Sequence, residues 1–287
     1  MSLLLLSHDL IIEIFCKLKS CNLKVFLTNK WVFEIYASNT RWISKRIINN
    51  YNLIFTGLTN IIFLSKIKNR KNIKINKSLK VALRNNRDLE DIKFLIRNGG
   101  DIHSKNDYSL RYASMNGHIA IVKLLIEVGA DIHANSDDAL ISASQFGHTE
   151  IVKLLIEAGA DIHACDDDAL TSASHCGHLE IVKLLIEAGV NIHVLEDYAL
   201  RWASHFDHIE IVKLLIEHGA DIHACSDDAL RCASQCGHLE IVKLLIEAGA
   251  DIHVYSDEAL RLASQFGHTK VVKLLIESGA NVTTLNN

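Results

Sequence analysis

Glu150-Ile151-Val152-Lys153-Leu154-Leu155-Ile156-Glu157 recurs residue for residue at 180–187, 210–217 and 240–247, with near-copies at 120–127 and 270–277. The interval is 30 residues each time. A fixed period of this size signals a chain of stacked copies of one supersecondary unit. Six whole units start at Asp101, Asp131, Asp161, Asn191, Asp221 and Asp251, and a degenerate seventh runs from about Ser78 to Gly100.

The unit from Asp161 to Val190 predicts a loop and two helices. Asp161-Ile162-His163 follows a Gly-Ala turn, and Asp168 stands one position before Ala169 and Leu170, a suitable N-cap for the first helix. That helix runs to about Cys176 and stops at Gly177, which can take the left-handed conformation. In the second helix Ile181, Val182, Leu184, Leu185 and Ile186 form a wide apolar stripe, Lys183 and Glu187 face outward, and Gly189 ends it.

Composition agrees with a helical reading. Of the 287 residues, 49% are hydrophobic and 22% charged, too apolar for disorder as the main state. Pro is absent, where average usage predicts roughly 14, so the commonest helix breaker is missing. Seven Cys without framework spacing suit a reduced, intracellular protein. The N-terminal apolar run is only Leu3–Leu6, too short for a signal-peptide core, and no stretch approaches the ~18 apolar residues of a membrane span. Charge is split: residues 1–100 carry 18 Lys+Arg against 6 Asp+Glu, and residues 101–287 carry 12 against 28. Such halves suggest two units with different partners.

The string Gly-His-x-Glu-Ile-Val-Lys-Leu-Leu-Ile-Glu-x-Gly-Ala resembles the second half of an ankyrin repeat, and the resemblance covers residues 78–287. It implies an all-α ankyrin-repeat solenoid that binds other proteins, each helix pair burying its apolar face on its neighbours. The family's usual period is 33; here it is 30, and the shortening falls before the first helix. The Thr-Pro-Leu-His start is missing, with Arg111, Ile141, Thr171, Arg201, Arg231 and Arg261 where its His would stand. Shorter fingers are therefore expected. In the fourth unit Asp207 replaces the Gly between the helices, at a cost of about 1 kcal/mol if positive φ is needed. The short period and the Lys/Asn/Ile-rich composition also resemble multi-ankyrin proteins of large DNA viruses.

Residues 6–42 follow a different pattern. Leu10, Ile11, Ile14, Phe15 and Leu18 fall on one helical face, and Leu23, Phe26, Leu27, Trp31 and Ile35 on a second. With Leu6 and Trp42 they resemble an F-box, although Ser7 stands where that family has Pro and the helix spacing is short. An F-box docks on the Skp-type adaptor of a cullin–RING ubiquitin ligase, so Leu6, Leu10, Ile14, Phe15 and Leu18 would form or support the docking face. The same residues suit a helical cap over the first repeat, and both readings stand. The expected organisation is an F-box-like helical unit at 1–48, a basic connector at 49–77 and the repeats at 78–287.

No catalytic residue, metal site or cofactor is expected. Twelve of the 16 His fall on two ladders, His103 to His253 and His118 to His268, each with the 30-residue period. Packed helices lie about 8–10 Å apart, too far for neighbouring rungs to share a zinc ion at about 2 Å per ligand. Cys232 and Cys236 lack a second Cys pair. No nucleophile elbow, Walker loop or dinucleotide turn occurs. Residues 66–87 hold nine basic residues and no acid, but no aromatics interleave, so nucleic acid is not the expected partner.

A repeat protein encodes its partner where its units differ. Those positions hold Tyr112, Trp202 and Leu262 on first helices, Phe146, His175, Phe206 and Phe266 a turn later, and Leu195 and Tyr255 in the loops. Aromatic residues there are candidate hot spots. The expected function is a non-enzymatic substrate adaptor, holding a target on the ankyrin face and a host ubiquitin ligase through residues 1–48, in the host cytoplasm rather than the nucleus. The alternative is an ankyrin scaffold that binds or sequesters a partner.

Overall fold

The computed structural model describes residues 79, 81–83 and 89–283. The described residues belong to one compact unit, Ile75–Asn287. The F-box-like segment with Leu6, Leu10, Ile14, Phe15 and Leu18, and the nine basic residues of 66–87, lie outside the described residues.

The described residues are helical and contain no strand. In chain order the helices are α1 Leu89–Arg97, α2 Ser104–Met115, α3 Ile119–Glu127, α4 Ala134–Gln145, α5 Thr149–Glu157, α6 Ala164–Cys176, α7 Leu179–Ala188, α8 Val194–His205, α9 Ile209–Glu217, α10 Ala224–Cys236, α11 Leu239–Glu247, α12 Val254–Gln265 and α13 Thr269–Glu277. Even-numbered helices are the first of each unit and odd-numbered ones from α3 the second. First helices pack extensively on the first helices of neighbouring units, whereas second helices touch each other less. The first helices therefore line the inner side of the stack.

The predicted stripe forms the core. Ile181, Val182 and Leu185 of α7 are fully buried, as are their equivalents in α5, α9 and α11, while Leu184 and Ile186 are half-buried. From α6 the core takes Ala169, Leu170 and Ala173. Lys183 pairs with Glu180 at 2.7 Å rather than with Glu187.

The shortened loop is a left-handed turn. Cys165, Asp166 and Asp167 have φ of 53°, 56° and 53°, and the other five units repeat this at Lys105–Asp107, Asn135–Asp137, Leu195–Asp197, Cys225–Asp227 and Tyr255–Asp257. Left-handed backbone costs an L-residue roughly 1–2 kcal/mol, so each turn needs compensation. Asp167 supplies it. Its buried carboxylate accepts from His163 Nδ1 at 2.8 Å and from the backbone N–H of Asn191, in the next unit, at 3.1 Å. The same bridge joins His103–Asp107–Asp131 and recurs through His253–Asp257–Asn281. Asp168 is not the side-chain N-cap that local spacing predicts. Its carboxylate accepts from the hydroxyls of Thr171 and Ser172 instead, because the turn has already brought the chain into the helix.

The second His ladder ties the other end of the first helices. Nε2–H of His148, His178, His208, His238 and His268 donates to the carbonyls of Met115, Gln145, His175, His205 and Gln235 in the preceding unit, at 2.9–3.0 Å. Each ring lies against the helix break of that unit. A Cβ on Gly147 would meet the His178 ring at 2.6 Å, and Gly147 has φ of 78°. Asp207 does take the positive φ, 63°, and its carboxylate lies 3.5 Å from His238 Nδ1.

One buried column has no such use. The hydroxyls of Ser114, Ser144, Ser174, Ser204 and Ser234 are buried and make no hydrogen bond. Ser174→Ala should therefore raise stability by about 1 kcal/mol, since an unpaired buried hydroxyl is removed. Asp167→Ala should lower it by about 2–3 kcal/mol by orphaning the Asn191 N–H and freeing the strained turn. Urea melts of both variants check this contrast; Asp167→Ala as stable as the parent would refute the bridge.

Candidate partner-binding face

Beyond the turn Asp, the first helices bury mainly Ala, Leu and Ser against their neighbours, with Thr171 in the third unit, and most of the intervening positions, where the units vary, stay open. Trp202 and Phe206 lie one turn apart on α8 and stack at 5.2 Å between ring centroids. His175, from the preceding unit's α6, reaches both, at 4.8 Å from Trp202 and 4.5 Å from Phe206. Tyr198 meets Trp202 edge-on at 5.4 Å, and His205 touches Trp202 and Phe206. The stack thus joins units three and four into one aromatic patch. His175 and Phe206 are exposed and Trp202 half-buried, so rings held by their neighbours still present a surface.

Of the sequence-derived candidates, His175, Trp202 and Phe206 come together in this patch. Tyr112 stacks on Tyr108 at 5.6 Å in the first unit. Phe146 and Phe266 are exposed at helix ends of the second and sixth units, and Leu262 is half-buried on α12. Leu195 and Tyr255 sit in the left-handed turns with 56% and 59% of their surface open. Tyr255 also lies 5.3 Å from the Arg231 guanidinium. The period separates these residues along the stack, so the candidates form a row rather than one site.

Sequence reading missed two features of the face. Tyr198 joins the patch although a Tyr beside a helix start carries no mark of its own. The Arg residues at the lost His positions form ion pairs between units: Arg111 with Asp138, Arg201 with Asp228 at 2.7 Å, and Arg231 with Glu258 at 2.8 Å. The 27-residue separation was a possible signal for these pairs. Among the described residues no group of three or more His, Cys, Asp or Glu could hold a metal ion. Apart from His118, the ladder His are engaged in the hydrogen bonds above, and Cys236 Sγ lies 3.6 Å from His205 Nδ1. Among the described residues no helix is long and apolar enough to cross a membrane.

A family model described as ankyrin repeats matches three overlapping stretches, 79–166, 163–226 and 200–286. No curated protein matches the chain.

Burial pushes the Cys232 thiol up to about 11, with Asp228 adding to the shift, so thiolate is scarce at neutral pH. Cys165 and Cys176 are exposed. Iodoacetamide at pH 8 should label Cys165 and Cys176 well before Cys232, whose labelling rises only as pH climbs toward 11. Peptide-resolved mass spectrometry reads the order, and equal rates at pH 8 would contradict the burial.

Proposed function

Since the chain belongs to the ankyrin-repeat family and is thereby a protein–protein interaction module, we propose that it binds its protein partner on the first-helix face, centred on Trp202, His175 and Phe206. The joined aromatic patch carries this reading. Rings already fixed by their neighbours lose little freedom on binding, and aromatic anchors dominate interface energetics. Ankyrin repeats are typically non-enzymatic scaffolds, and the chain acts by holding rather than by chemistry.

The F-box-like spacing of Leu6, Leu10, Ile14, Phe15 and Leu18 supports the finer reading of a substrate adaptor. In it the repeats hold a target, residues 1–48 dock on a host Skp-type adaptor and cullin, and the gain is effective concentration of target lysines at the ligase. The resemblance to multi-ankyrin proteins of large DNA viruses supports a viral origin and a host partner, met in the host cytoplasm. If residues 1–48 cap the repeats instead, the protein is a scaffold that binds or sequesters its partner.

Affinity capture from host cells tests both levels. Trp202→Ala with Phe206→Ala should lose the target while leaving the helical circular dichroism intact. Leu10→Asp with Ile14→Asp should lose adaptor and cullin and retain the target. A target kept by the first variant would sink the face, and no adaptor in the wild-type sample would sink the ligase role.

A further inference from the structure

The row of inter-unit ion pairs has a gap beside the aromatic patch. An Arg at the lost His position reaches the carboxylate 27 residues on in three places: Arg111 to Asp138, Arg201 to Asp228 and Arg231 to Glu258. The acid of the third unit at this register is Asp168, and the residue 27 before it is Ile141. Among the described residues no cation pairs with Asp168; its hydrogen bonds come from Thr171 and Ser172. Asp168 is half-buried.

Asp168, Ser172 and His175 follow one another along one side of α6, so Asp168 and the aromatic patch lie about two turns, or roughly 10 Å, apart. The nearby cation, Arg201 over the Tyr198 ring at 5.4 Å, is already paired with Asp228. Glu196 is exposed on the next turn, and residues 101–287 carry 28 acids against 12 basic residues. A cation arriving here meets a partly desolvated carboxylate, where a charged hydrogen bond is stronger than on open surface.

We infer that the partner presents a basic segment to this face, with an Arg or Lys side chain pairing Asp168 in place of the missing inter-unit Arg and an adjacent apolar or aromatic residue on Trp202 and His175. This rests on the reading of the first-helix face as the binding surface and adds the partner's chemistry. Ile141 keeps the cation's place vacant by being unable to pair. The open register lies in the unit preceding Trp202, so charge and rings can be engaged by one short extended stretch.

The test is selection of a random 12-residue peptide library, displayed on phage, on the full chain, followed by binding of individual peptides. Trp202→Ala identifies peptides that use the face. These should be enriched in Arg and Lys, weaken as salt is raised, and lose roughly five- to tenfold in affinity on Asp168→Asn. Ile141→Arg should weaken them similarly by supplying the internal cation. Circular dichroism confirms that each variant is folded. Trp202-dependent peptides without basic enrichment, or indifferent to both substitutions, overturn the inference and leave the face standing. Trp202-dependent self-association would make a second copy the occupant and also overturn it. A library yielding no Trp202-dependent peptide overturns the face and the inference together.

Discussion

One buried carboxylate per unit holds the solenoid together. Asp167 and its five counterparts sit at the end of a left-handed turn, take a hydrogen bond from the His four residues before, and take another from the backbone N–H that opens the next unit. An unpaired charge at this depth would be prohibitive, so His, Asp and the following unit need each other. The turn is costly in itself. It is tolerated because it aims the Asp across the unit boundary and because neighbouring units complete the pairing. The same turn accounts for the short period, since it feeds the chain into the helix without a long finger.

The second ladder works at the other end of the same helices. Each imidazole spans to the preceding unit's carbonyl and fills the space that a Gly leaves. Asp207 shows how the arrangement absorbs a departure: the backbone keeps its positive φ, and the added carboxylate is turned toward His238. With both ends of every first helix tied to its neighbours, stability is a sum of near-identical interfaces. Positions between the ties are then free to vary without loss of the fold.

That freedom is used unevenly. The first, fourth and fifth units place Arg on the inner face and neutralise the next unit's acid, whereas the second and third carry Ile141 and Thr171. The aromatic patch lies beside this interruption. Three of the unit boundaries are thus neutralised internally, and Asp168 keeps no inter-unit cation about two helical turns from the ring cluster.

The amino-acid sequence by itself determined the architecture. A 30-residue period with apolar residues at helical spacing admits only stacked helix pairs, and the Gly and His positions mark their boundaries. It also marked which residues vary from unit to unit. The tertiary structure decided the rest. The Asp168 cap, argued from local spacing, gave way to the hydroxyls of Thr171 and Ser172 on the same helix, because the left-handed turn before it sets how the chain enters the helix. His175, Trp202, Phe206 and Tyr198 became one patch only when stacking brought units three and four into register. The gap at Asp168 exists only relative to a residue 27 positions earlier. The period is local information, readable from side-chain order, whereas pairing between units depends on how far the stack advances per repeat, a quantity that packing alone sets.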